Sequence, residues 1–190
     1  MDHLLLTTQR LTIRNLKESD LDAFLQYRSN PDVTRYQGFD TFTREQAFNF
    51  ITEHKGKKFG IPGQWVQYGI EITDNHQLIG DCAIHLHTDD PRIAGIGITI
   101  SDLHQRRGYA KEAMLGLMNY LFGAKKIQRI METVDSENVA SIQLLKSLSF
   151  RQEGHFIENI FFKGKWGSEF QFAMLASEWD PLNMPNQVRF

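Results

Sequence analysis

The run IAGIGITI (93–100) alternates like a strand and passes through QRRGYA (105–110) into KEAMLGLMNYLFG (111–123), where Ala113, Met114, Leu117 and Leu121 recur at helical spacing. IQRIMETV then reads as another strand, NVASIQLLKSL as a short helix, and FRQEGHFIENIFF and SEFQFAML as two strands joined through Gly164-Lys165. The centre is therefore strand, helix, strand, helix, strand, with antiparallel hairpins before and after it. It predicts an α/β (α+β) domain: a mixed, mostly antiparallel sheet with helices on both faces.

The flanking segments fit that plan. RLTIRNL alternates as a half-buried strand, and KESDLDAFLQYRS shifts to helical spacing with Leu21, Phe24 and Leu25 on one side. Thr43-x-x-Gln46 forms a capping box for a helix whose apolar stripe is Ala47, Phe48 and Ile51. HKGKKFGIPGQ, from His54 to Gln64, is expected to be a mobile loop. WVQYGIEIT and QLIGDCAIHL are strand-like runs around a turn at Asp74-Asn75-His76.

At 190 residues the length favours one domain, expected over residues 1–180. The tail 181–190 loses periodicity, carries Pro181 and Pro185, and is expected to be an extended arm. The 21 basic and 23 acidic residues leave a formal net charge of -2, so no global field favours nucleic acid or an acidic membrane as partner. The apolar block in MDHLLLTTQR is too short for a signal peptide, no run is long enough for a membrane span, and the lone Cys82 permits no internal disulfide. A cytoplasmic location is expected.

QRRGYA places charge and a bare backbone at a helix start. The first turn of a helix leaves N–H groups without partners at the positive end of the macrodipole, so a glycine-containing loop there can wrap a phosphate. Gly108 permits close approach, and Arg106, Arg107 and Lys111 add local positive charge. Neither GxxxxGK[ST] nor GxGxxG is present, which excludes the P-loop and the dinucleotide fingerprint. A phosphate-bearing cofactor of another kind is expected.

Gln105-Arg106-Arg107-Gly108-Tyr109-Ala110 resembles the pyrophosphate loop [Q/R]-x-x-G-x-[G/A] of the GNAT superfamily of acetyl-CoA-dependent N-acetyltransferases. Asn138-Val-Ala-Ser141-Ile-x-Leu-Leu-Lys146-x-x-x-Phe150 resembles a second block that lies beside the cofactor in that superfamily. RLTIRNLKESDLDAF and GKWGSEFQFAML further resemble the branch of ribosomal-protein N-terminal (RimJ/RimL-like) acetyltransferases, spermidine acetyltransferases and some antibiotic-modifying enzymes.

The resemblance covers about residues 8–176. It implies acetyl-CoA as cosubstrate, held by Ile98, Thr99 and Ile100 along its pantetheine arm, by Gln105 to Lys111 at its phosphates, and by Asn138, Ser141 and Lys146. It also implies an amine substrate, either a peptide N-terminus or a small molecule such as a polyamine or aminoglycoside, and suggests a homodimer. Two departures stand out. Ser149 replaces the usual Gly before Phe150, and Gly95-Ile96-Gly97 replaces E-I-G, so a carboxylate that commonly serves near the amine is missing. That gap keeps a rival in view, a non-catalytic acyl-CoA-binding regulatory module.

Acetyl transfer requires a neutral amine, a site for the developing oxyanion and a proton for the departing thiolate. Ser141 is the candidate proton donor and Asn138 aligns its helix start, although Asn138 is also a good plain cap. An α-amino group is neutral in about one molecule in ten at pH 7, an alkyl amine in only about one in 2,500, so the need for a base depends on the substrate. Candidates for the base are Glu71, Asp81, His85 and Glu137, with His85 preferred. His85 and His87 share a strand face ahead of Asp89 and Asp90, but neutral strand histidines are far commoner than ligands, and no metal is expected. Phe39, Trp65 and Tyr68 are candidates for a substrate pocket.

Overall fold

The structure is a computed structural model that describes residues 4–180; the proposed arm at 181–190 lies outside them. Eight strands form one sheet: β1 (Leu5–Thr7), β2 (Leu11–Asn15), β3 (Val66–Ile72), β4 (Leu78–Leu86), β5 (Ile93–Ile100), β6 (Arg129–Asp135), β7 (Arg151–Phe162) and β8 (Lys165–Leu175). Their order is β1-β2-β3-β4-β5-β6-β8-β7, and every neighbouring pair is antiparallel except β5 and β6. The parallel pair follows from the helix between its strands, since a parallel neighbour can be reached only by a crossover.

Helices α1 (Leu21–Arg28), α2 (Pro31–Thr34), α3 (Arg44–His54), α4 (Tyr109–Met118) and α5 (Val139–Ser147) complete the domain. Phe24 and Tyr27 of α1 pack with Ala47 and Ile51 of α3 in one apolar cluster. Ala113, Met114 and Leu117 of α4 and Leu145 of α5 join Cys82, Ile84 and Ile96 in the other. Strand alternation turns Asp81, Ala83 and His85 away from Cys82, Ile84 and Leu86, toward α1 and α3.

Local signals act as expected in several places. Thr43 Oγ1 accepts from Gln46 N–H at 3.2 Å while Gln46 Oε1 accepts from Thr43 N–H at 2.8 Å, closing the capping box of α3. Its buried stripe, however, is Ala47, Ile51 and His54, with Phe48 exposed. Helix α4 begins at Tyr109, before Lys111, and its last stretch widens into a π-helical turn over Asn119–Ala124. β8 begins at Lys165, three residues before the expected start, and β1 and α2 are too short for periodicity to reveal. The 54–64 segment is tied to the sheet: Pro62 bridges Leu86, and Gly63 N–H donates to Leu86 O at 2.8 Å.

Two polar clamps fix the layers. Glu112, on α4, accepts from Thr8 Oγ1 at 2.6 Å, Arg10 N–H at 2.7 Å and Arg10 Nε at 2.6 Å, pinning the helix start to the β1–β2 turn. Arg14 bonds Asp20 at 2.8 Å and Glu71 at 2.6 Å in a buried triad. Burial pushes the Glu71 carboxyl up, but His76 and Arg14 outweigh it and hold the group below its usual range.

Helix α5 closes in a Schellman turn, with Ser149 N–H donating to Lys146 O and Phe150 N–H to Leu145 O, both at 3.0 Å. Ser149 sits there at φ 65°, a left-handed conformation that a β-carbon disfavours. Ser149→Gly is therefore expected to stabilise the fold by about 1 kcal/mol, read by calorimetry as a rise of about 2–4 °C in Tm.

Candidate active site

β5 and β6 pair over only three residues, Ile93–Arg129, Ala94–Ile130 and Gly95–Met131, and then part. β4 still pairs with β5 out to Ile100, so the far edge of β5 faces open space. A cleft of about 580 Å³ passes through the sheet at this fork, lined by Met114 and Leu145 on one side and by Trp65, Gln67 and Ala83 on the other. Ile96 to Thr99 and Glu132 to Asp135 form its two strand walls.

Glu132 stands where the strands separate, opposite the position Ile96 would fill if pairing continued. Burial pushes its carboxyl up to about 8, opposed by a hydrogen bond from the Ile96 backbone N–H. Its remaining accessible surface opens onto the cleft. Because Ile96 N–H points toward β6, strand alternation aims the N–H groups of Ile98 and Ile100 the same way, into the fork. Ile98 lines the cleft, where its N–H can meet a carbonyl oxygen or an extended amide chain, whereas Ile100 is buried.

At one end of β5, Gln105 Nε2 donates to Ile100 O at 3.0 Å and fixes the turn into α4. Arg106 (φ 60°) and Gly108 (φ 80°) are both left-handed, curling the backbone ahead of the free N–H groups of the α4 start. Arg106, Arg107, Gly108 and Lys111 are exposed, and no acid among the described residues pairs with the three cations. Arg10 adds a fourth: its Nη1 donates to Arg107 O at 3.1 Å, and its guanidinium lies over the Tyr109 ring at 4.5 Å. The residues present fit a diphosphate there and an amide-bearing arm along β5.

Across the fork, Asn138 caps α5, its Oδ1 accepting from Ser141 N–H at 3.2 Å, and both residues line the cleft. Lys146 is exposed in the last turn of α5 and does not line it. The His85 ring stacks on Trp65 at 4.0 Å and presses on Gly95, where an added Cβ would lie 2.1 Å from its Cε1. The imidazole thus fills the space of a side chain at position 95. Burial lowers its pKa, more than the Gly95 backbone hydrogen bond raises it, so the ring is neutral at pH 7.

The other candidate bases stand elsewhere. Glu71 is held by Arg14; Asp81 is fully buried and saturated by Tyr27, Arg28 and Gln67; Glu137 is exposed and pairs with Lys165 at 3.2 Å. Phe39 and Trp65 line the cleft, whereas Tyr68 is core. Asp90 is engaged by Arg92, and among the described residues no three His, Cys, Asp or Glu side chains converge as metal ligands. The sequence reasoning missed Glu132. Its signal was an acidic residue inside the apolar strand run IQRIMETV.

The fork thus sets a cleft with open backbone donors near a helix start that carries exposed cations. The family model of the acetyltransferase (GNAT) domain matches residues 10–151. The uncharacterized N-acetyltransferase p20 of Bacillus licheniformis is 33% identical over 175 residues, 92% of this chain and 97% of that protein. A GNAT-family acetyltransferase structure from Bacillus anthracis superimposes with a TM-score of 0.84 at 27% identity, covering 92% of this chain and all of that one. Spermidine N-acetyltransferase from Vibrio cholerae, solved with CoA and spermine, shares the fold at a TM-score of 0.74 and 21% identity over 93% of this chain and 100% of that chain.

The chain belongs to the GNAT family of N-acetyltransferases, enzymes that use acetyl-CoA. None of these relatives supports the non-catalytic module. Gly108→Val places a β-branched side chain at φ 80° in the 105–110 loop, where a diphosphate would fit. It should weaken acetyl-CoA binding at least about tenfold by titration calorimetry, roughly 1.4 kcal/mol, while circular dichroism shows the fold retained.

Proposed function

We propose that the enzyme passes an acetyl group from acetyl-CoA directly to a primary amine, with both bound at once on the two sides of the β5–β6 fork. The observation that carries this is the placement of Glu132 within the fork, on the cleft wall opposite the Ile96 backbone N–H. The loop 105–111 and Asn138 take the cofactor's phosphates and arm, with Ile98, Thr99 and Ile100 along the pantetheine.

The amine nitrogen attacks the thioester carbonyl carbon, forming the C–N bond as the C–S bond breaks. Backbone N–H groups of β5 hold the oxygen as charge develops on it. Glu132, as carboxylate, accepts the proton released by the amine, and Ser141 gives its hydroxyl proton to the departing sulfur. Of the acceptor classes, a peptide N-terminus fits best the resemblance to ribosomal-protein acetyltransferases; polyamines and aminoglycosides are the alternatives. A second reading gives the base role to His85, supported by the imidazole's occupation of the space beside Gly95.

The rate of CoA release against pH separates the two. With an alkyl amine acceptor, whose own ionisation lies near about 10.4, a limb near pH 8 belongs to the enzyme. Glu132→Gln should remove that limb and lower kcat on the order of a hundredfold. If Glu132→Gln keeps the limb, and His85→Gln instead abolishes an ionisation below the usual histidine range, His85 is the base. Ser141→Ala should reduce kcat more than it changes KM.

A further inference from the structure

Asp81 lies beneath the acceptor side of the cleft with four donors on its two oxygens: Tyr27 Oη at 2.7 Å, Arg28 Nε at 3.0 Å, Arg28 Nη2 and Gln67 Nε2. Because Arg28 engages it through Nε and Nη2, one edge of the guanidinium faces the carboxylate and Nη1 is left at the opposite corner. Arg28 is only 2% exposed, and its Nη1 is buried with no hydrogen-bond partner on the protein. The Phe39 ring covers the guanidinium at 4.5 Å, and Arg28, Phe39 and Gln67 together form part of the cleft wall. A guanidinium corner this enclosed ordinarily has an acceptor.

We propose that Arg28 Nη1 donates to an oxygen on the amine substrate, and that this oxygen is an uncharged amide carbonyl, which makes Arg28 a specificity determinant for amines that carry one. The inference rests on the acetyl-transfer reading of the cleft and narrows its substrate class.

Charge decides between oxygens. Asp81 already balances Arg28, and the other ionisable groups of the cleft wall are the acids Glu132, Asp135 and Glu169, the His54 imidazole and the Tyr36 phenol, none of them a permanent cation. His54 is neutral at pH 7, because burial lowers its pKa to about 4. A substrate carboxylate would therefore add an unbalanced negative charge, whereas an amide oxygen adds none. A polyamine would leave Nη1 unpaired, since it has no oxygen to offer.

The test compares alaninamide with 1,2-diaminopropane, in which the carbonyl is absent, and with alanine and spermidine, each rate corrected for the fraction of neutral amine. The wild-type kcat/KM for alaninamide should exceed those for 1,2-diaminopropane and alanine by at least about tenfold, the worth of one hydrogen bond to a charged donor. Arg28→Lys keeps a cation for Asp81 but has no second nitrogen, so the ratio of amide to diamine should fall toward one. A diamine or spermidine used as well as the amide, a preference for alanine, or an unchanged ratio in Arg28→Lys overturns the proposal. If Arg28→Lys does not fold, as judged by circular dichroism, the wild-type series decides alone. If no amine releases CoA, the acetyl-transfer reading fails instead; equilibrium binding followed by tryptophan fluorescence then tests the subsite, with tighter binding of the amide supporting it and equal binding overturning it.

Discussion

The separation of β5 from β6 after three paired residues is the constraint on which the rest of this enzyme depends. A sheet that continued to pair would have no interior space and no unmet backbone donors. Once it forks, each N–H on the free edge of β5 needs a partner, because buried backbone polar groups are rarely left alone. Glu132 meets the first, at Ile96, and the next, at Ile98, borders the cleft. The same gap that creates the cavity thus supplies its polar lining.

Opening a sheet costs ladder hydrogen bonds and packing, so the strands around the fork have to be held from outside. Asp81, with its four donors, ties α1 and β3 to β4 on one face. Glu112 ties α4 to the β1–β2 turn on the other. Breaking a pair buried on both sides, as Arg28–Asp81 is, typically costs about 3–5 kcal/mol, since the survivor is left as an uncompensated charge. These clamps are also positional: one holds Arg28 at the cleft wall, and the other sets Arg10 against the 105–110 loop.

Glycine at position 95 changes the local chemistry without changing the fold. With no side chain there, the His85 imidazole moves onto the β5 backbone under Trp65 and stays neutral. Of the acids that line the cleft, Glu132 stands on the opposite wall, facing this stretch of β5. Acid–base capacity at this fork therefore depends on which wall carries the titratable group, and its electrostatic environment follows from how deeply that wall is buried.

The sequence by itself determined whatever is encoded locally. Alternation, helical spacing and the capping box Thr43-x-x-Gln46 set the elements, and QRRGYA and the Asn138–Ser141 block stand out as contiguous blocks at two helix starts. Such features are legible because their partners lie within a few residues along the chain. Only the tertiary structure decided the rest: that Glu132 reaches Ile96 across the fork, that His85 fills the space at Gly95, that Glu71 and Asp81 are consumed by arginines, and that Arg28 stands at the cleft wall with its buried Nη1 left without a protein partner. Each of these joins groups distant in sequence. The ionisation and availability of a side chain are properties of its surroundings, and those exist only after the chain has folded.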